Sequence, residues 1–183
     1  MRSKNKIFIA PRLLALFLLI NLCIACAWGT SLSPGAWVAE EDRISIMDGG
    51  PHKGSWKTRD LTIHYEYQGA APNLQVTGVV ELANYIPMGF SVLEHLHLNI
   101  HFLEASGIVL EAKRIRSFGS RLSISMLRDL NFNSRFDLPQ DTVAFAFSYS
   151  GKASTGGVPG GASSSRGRTD WDFWKVPRRS PPK

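Results

Sequence analysis

The sequence predicts an all-β fold, an antiparallel β-sandwich of about seven short strands, and three observations carry that prediction. Apolar residues alternate with polar ones over several runs, as in strands that bury one face and wet the other. Turn-forming residues interrupt those runs at irregular intervals. No sustained 3.6-residue apolar period occurs between residues 28 and 150, so nothing in the body asks to be a long helix.

The clearest run is residues 92–115, VLEHLHLNIHFLEASGIVLEAKRI. Leu96, Leu98, Ile100 and Phe102 share one parity, and His95, His97, Asn99 and His101 share the other, so a strand here buries the first set and turns the second outward. Ser106-Gly107 then turns the chain into a second strand. Two registers keep Ile108, Leu110 and Ala112 on the apolar face: Phe102 opposite Ile108, or Phe102 opposite Leu110. The second is favoured because it leaves a three-residue Ala105-Ser106-Gly107 loop whose last position suits glycine.

Other strands follow the same logic. Leu61, Ile63, Tyr65 and Tyr67 alternate with Thr62, His64, Glu66 and Gln68, and a turn over residues 69–72 leads to Leu74, Val76, Val80 and Leu82. Residues 84–91, with Pro87 and Gly89, form an irregular crossover long enough to change sheets. Leu122, Ile124 and Met126 alternate with serines as a further strand. Val143, Phe145, Phe147 and Tyr149 close the core, with Ala144, Ala146 and Ser148 on a face small enough for close packing. Residues 43–47 add a short strand within an otherwise irregular N-terminal segment, 28–55, broken by Asp48-Gly49-Gly50-Pro51. That tetrapeptide lacks the spaced carboxylates of a calcium loop and the Gly-Lys-Ser/Thr ending of a phosphate loop, and is a turn.

The ends differ from the body. Residues 1–27 carry Arg2, Lys4, Lys6 and Arg12, no acid, and a largely apolar run from residue 13 onward, the layout of a secretory signal peptide. Ala25-Cys26-Ala27 fits a general signal-peptidase site. Ile24-Ala25-Cys26 also resembles the end of a bacterial lipobox, in which Cys26 becomes the lipid-bearing residue. Both readings expect an exported protein, periplasmic or anchored at the outer membrane. The two cysteines of the chain lie in this segment, so the domain of residues 56–150 has no disulfide and no thiol chemistry. Of the net charge of +6, residues 28–150 contribute −3 and residues 151–183 contribute +5. A slightly acidic body argues against nucleic acid as a partner.

Residues 151–183 open with a flexible, disordered Gly/Ser-rich linker that cannot bury a core. Trp171, Phe173 and Trp174 follow within residues 171–177. They dock in a groove of a protein partner, or else fold back on their own sandwich as an extra strand, and the sequence leaves both open.

The order Val76-x-Gly78-x-Val80, a long strand, Gly107-x-Val109-Leu110 and a closing aromatic strand resembles the extracytoplasmic bacterial immunoglobulin-like domains of the FxLYD type over residues 56–150. The Phe-x-Leu-Tyr-Asp motif itself is absent. The resemblance implies an immunoglobulin-like sandwich with a non-enzymatic role in the cell envelope, and it carries no site residues across.

Catalytic signatures are missing: there is no Gly-x-Ser-x-Gly elbow, no His-Glu-x-x-His helix and no phosphate loop. The expected function is therefore non-catalytic binding or scaffolding, with Trp171, Phe173 and Trp174 as partner contacts and an unidentified cell-envelope protein as the partner. The alternative is a zinc or copper protein using His95, His97 and His101, since two histidines two apart on a strand face reach one ion and Glu111 or His64 can join from a neighbour. Against it stands a plain polar sheet face on which histidine is tolerated.

Overall fold

The computed structural model describes residue 32 and residues 34–70, 72–119, 121–127, 130–155 and 168–177. Ten strands are found there: β1 (Ile44–Ser45), β2 (His52–Lys57), β3 (Leu61–Ala70), β4 (Asn73–Leu82), β5 (Val92–Leu103), β6 (Val109–Phe118), β7 (Leu122–Ser123), β8 (Asn131–Asp137), β9 (Ala144–Ser154) and β10 (Asp170–Lys175). They form two antiparallel sheets, as expected of a sandwich. One has the order β2-β3-β4-β8; in the other β9 and β5 are central, β1 and β10 lie along the far side of β9, and β6 and β7 along the far side of β5. The crossover between the sheets contains one short helix, α1 (Tyr85–Gly89).

The apolar parity of β5 is the middle of the core. Leu96, Leu98, Ile100 and Phe102 are all buried, and they meet Phe145, Phe147 and Tyr149 of β9 and Ile63, Tyr67, Leu74 and Val76 of the opposite sheet. Aromatic rings join the layers edge to face: Tyr67 to Phe145 at 5.3 Å and 82°, and Tyr65 to Phe145 at 6.2 Å and 78°. Such pairs add about 0.5–1.5 kcal/mol each beyond the area they bury.

β2 and β8 exceed the sequence expectation, each for a reason, and β10 is the extra strand that was one of the two readings of the aromatic segment. β2 has Trp56 as its one large apolar residue and places Lys53 and Lys57 outward, the habit of an edge strand. In β8 Phe132 and Phe136 point inward, but the inward residue between them is Ser134, whose hydroxyl donates to the Ile115 carbonyl of β6 (3.1 Å) in the other sheet. Conversely, the strand expected through Ile124 and Met126 stops at Ser123. Residues Ile124–Met126 form a 3-10 turn that buries Ile124.

The hairpin register needs a correction. Glu104 N–H donates to the Ile108 carbonyl and Gly107 has φ +89°, so the loop is the three-residue, glycine-ended one that was favoured. The favoured register holds through Leu103 opposite Val109 and is lost beyond it: Phe102 pairs with Glu111 and Leu98 with Arg116, because Leu110 and Ile115 are extra residues in β6, one at each of two bulges. Each bulge shifts the facing set by one position. His101 consequently faces Ala112 rather than Glu111, and Ile108, expected on the core face, is exposed.

The outer face of the β5–β9 sheet is half covered. Leu32 and Val38, with Ala36 and Val176 beside them, pack on Leu103, Val109, Ala144 and Ala146 as a second, smaller core. Gly35 N–H donates to the Val109 carbonyl and Val109 N–H to the Ala36 carbonyl, both 2.8 Å, so the irregular N-terminal segment is strapped to β6. The small side chains of β9 leave room for it.

β10 runs antiparallel to β9 with Phe173 opposite Gly151. Phe173 is fully buried and packs against Tyr149 with ring centroids 6.2 Å apart. A β-carbon on Gly151 would collide with the Phe173 ring. Gly151→Val is therefore expected to expel Phe173 and detach β10, lowering stability by about 3 kcal/mol, the scale for losing a buried phenylalanine. Urea unfolding checks this, with Phe173→Ala as the matching variant. A Gly151→Val chain as stable as its parent contradicts the docking.

Candidate functional site

The three histidines singled out on β5 do not converge. His95 and His97 stack with ring centroids 5.0 Å apart, and His97 Nδ1 lies 3.0 Å from Ser117 Oγ. Burial, then the positive charge of Arg114, and then His95 push the His97 pKa down. His101 lies beyond Asn99 and is fully buried, with Nε2 2.8 Å from Ser148 Oγ and Nδ1 lacking a partner among the described residues. Burial pushes its pKa down from 6.5 to about 4. Glu111 does not face it, and His64 sits on the other sheet, 3.3 Å from Glu81. Among the described residues no three His, Cys, Asp or Glu side chains stand together as ligands for an ion.

The three aromatics of β10 have separated roles. Phe173 is sealed inside the sandwich, whereas Trp174 is 62% exposed and Trp171 37% exposed on the same edge strand. Trp171 meets Tyr85 of α1 edge to face at 6.4 Å, and the Arg59 guanidinium lies 5.7 Å from its ring centre. The segment Glu94, Lys152, Arg168 and Asp170 fastens the start of β10: Arg168 bonds Glu94 and Asp170, both 2.8 Å, and Lys152 bonds Asp170 at 2.9 Å. Exposed pairs of this kind are individually weak, so the buried ring of Phe173 does most of the anchoring.

Beside β10 lies a feature the sequence did not suggest. Asp60, in the turn between β2 and β3, is 2% exposed and is surrounded by donors. Arg59 Nε donates to Oδ1 at 2.9 Å, Tyr85 donates to the same oxygen, and Tyr149 donates to Oδ2 at 2.8 Å. Thr58 Oγ1 sits 2.9 Å from the Tyr149 hydroxyl. Burial alone would raise the Asp60 pKa, but the hydrogen bonds from Tyr85, Arg59 and Tyr149 and the charge of Arg59 outweigh it and hold the carboxyl below its usual range. The same environment raises the Tyr149 and Tyr85 hydroxyls, burial first and the Asp60 carboxylate after it.

A cleft of about 420 Å³ opens over this cluster, lined by Thr58, Arg59, Asp60, Tyr149, Trp174 and Lys175. The groups that line it are a held carboxylate, two cations, two hydroxyls and an indole. The Asp60 carboxylate is ionised and already taken by three donors, which makes it a poor proton acceptor or nucleophile. Arg59 donates Nε to Asp60 and lies near Trp171, and its side chain is 73% exposed, so the guanidinium also reaches solvent. Among the described residues the Lys175 ammonium has one ion-pair neighbour, Asp42, at a loose 3.9 Å. Asp60 was missed because a lone aspartate before a strand resembles any turn residue. The signal that could have found it is Thr58-Arg59-Asp60, an Asx/ST-type turn whose Thr58 hydroxyl accepts from Leu61 N–H at 3.1 Å.

Residues 1–27, including Cys26, lie outside the described residues. No helix among the described residues is long and apolar enough to cross a membrane. No family model, no curated protein and no solved structure matches the chain.

The buried histidine gives a pH test. His101 is held neutral, so the folded state binds fewer protons than the unfolded chain between its folded pKa of about 4 and the ordinary 6.5. Its contribution is complete above pH 6.5 and is lost as pH falls toward 4, about 3 kcal/mol in all. Asp60, with its depressed pKa, adds loss only at lower pH, below the ordinary carboxylate value of 3.8. Urea midpoints measured from pH 7 to pH 4.5 should fall more steeply in the parent than in His101→Gln, which keeps only the loss that the depressed His97 pKa contributes. Equal slopes in the two chains would mean that another group titrates.

Proposed function

We propose that this chain is a non-catalytic, exported binding or scaffolding protein of a bacterial cell envelope, and that a protein partner engages the edge made by β10. The observation that carries the reading is the pairing of a sealed anchor with exposed indoles. Phe173 fixes the strand in the sandwich, and Trp171 and Trp174 on either side of it stay in solvent. Exposed tryptophans held on a rigid element carry much of the energy in protein interfaces. Export rests on the leader-like residues 1–27, with lipid attachment at Cys26 as one processing route. The saturated Asp60 cluster supports a binding surface over a reaction centre.

The zinc or copper reading is left with His95 and His97 as donors. The Arg114 charge that lowers the His97 pKa opposes a cation there as well, so the β10 edge is the stronger reading.

Photo-crosslinking in the native cell tests this. A benzophenone side chain at position 174 should trap a discrete protein adduct, and the same probe at Val79, on the outer face of the opposite sheet, should not. Trp171→Ala with Trp174→Ala should abolish the interaction, at least tenfold weaker binding being the scale of two interfacial tryptophans, while the melting temperature changes little. Retained binding by that double variant contradicts the reading.

A further inference from the structure

The side chains around the β10 edge narrow the kind of segment that fits it. Among the described residues β10 pairs only with β9. Its other side therefore presents backbone N–H and C=O groups that an extended chain completes by adding a strand. Register puts Trp171, Phe173 and Lys175 on one face of β10, opposite Ala153, Gly151 and Tyr149. Phe173 is sealed, so an added strand on this face meets an indole at one end and an ammonium at the other. These lie four residues apart, about 13 Å along a strand.

The ammonium end is cationic and open. Lys175 lines the cleft together with Arg59, whose guanidinium is held by Asp60 through Nε while its side chain stays 73% exposed. Of the acids nearby, Asp60 is held by three donors and Asp42 loosely by Lys175 itself, while Asp172 of β10 falls on the opposite parity from Lys175. The sequence after β10 adds Arg178, Arg179 and Lys183 and no acid. Complementary charge across an edge selects partners and orients them, and a guanidinium beside an ammonium selects a carboxylate.

On this basis, and resting on the binding reading above, we propose that the β10 edge takes up an extended protein segment bearing an apolar side chain and a carboxylate four residues apart on one face. The apolar group packs on Trp171, and the carboxylate enters the cleft between Arg59 and Lys175. The segment supplies backbone hydrogen bonds along β10 as a further strand of the β9–β5 sheet.

Random dodecapeptides displayed on phage and panned on the immobilised intact chain test this, with the enriched sequences resynthesised and titrated by fluorescence anisotropy. Enriched peptides should share an Asp or Glu four residues from an aromatic or branched aliphatic residue. Replacing that acid by its amide, or Lys175 by Gln, should weaken binding at least tenfold. Lys175→Gln is the decisive protein variant because Lys175 is partly exposed and loosely paired, whereas Arg59→Gln also disturbs Asp60. Peptides without an acid that bind Lys175→Gln unchanged but lose affinity in Trp171→Ala overturn the carboxylate and leave the edge reading standing. Peptides indifferent to Trp171→Ala and Trp174→Ala, or no enrichment at all, overturn both. A dimer by light scattering that Trp174→Ala converts to monomer overturns the proposal, a second copy being then the occupant.

Discussion

Eleven residues of β5, from Val92 to Leu103, face partners on β9, and this one antiparallel pairing sets almost everything else. It directs Leu96, Leu98, Ile100 and Phe102 and their neighbours Phe145, Phe147 and Tyr149 into the same core. A one-residue slip of either strand would turn its own apolar set away from the core, so the register is strongly specified. The single irregularity, at Glu94, lets His95 rejoin the ladder opposite Lys152 and frees the Glu94 carboxylate to bind Arg168 and the Ser154 hydroxyl. Because β9 is long, its far side has room for two strands in line, β1 at Ala144 and Phe145 and β10 from Tyr149 to Ser154.

That second flank explains why an aromatic segment with a Gly/Ser-rich approach becomes part of the sheet. Glycine at position 151 leaves a hole in the β9 surface, and the Phe173 ring fills it. Tyr149 is shared between the ring and the carboxylate of Asp60, so the end strand, the β2–β3 turn and α1 through Tyr85 meet at one corner. A buried carboxylate with both oxygens hydrogen-bonded is costly to leave unpaired, and removing one donor leaves part of its charge uncompensated. The corner is thus rigid, and the cleft, the guanidinium of Arg59 and the two exposed indoles are displayed on a fixed frame.

Much of this was legible in the residues, and the rest failed for local reasons. Strands with strict alternation of large apolar groups, β3, β4, β5 and β9, are readable because one face must be buried. β2 and β8 were hidden because a lone Trp56, or a Ser134 between two phenylalanines, weakens the period. The outer face of β5 read as a histidine surface because sequence shows parity but not what lies on top of it. Ala144, Ala146 and Ser148 are small enough for Leu32 and Val38 to cover part of that face, and His101 is buried beside them. Bulges at Leu110 and Ile115 leave no mark in the pattern, since each only moves one residue across. The Asp60 corner joins residues 58–60, 85 and 149, whose proximity depends on the topology.

The account stands on β10 being a constituent strand whose outer edge is the working surface. Hydrogen–deuterium exchange on the intact chain and on a chain ending at Gly161 measures this most directly. The account predicts strong protection of the Tyr149–Ser154 amides that alternate toward β10 in the intact chain, and its selective loss on truncation while the β3–β4 ladder stays protected. Equal exchange at those amides in both chains would contradict it.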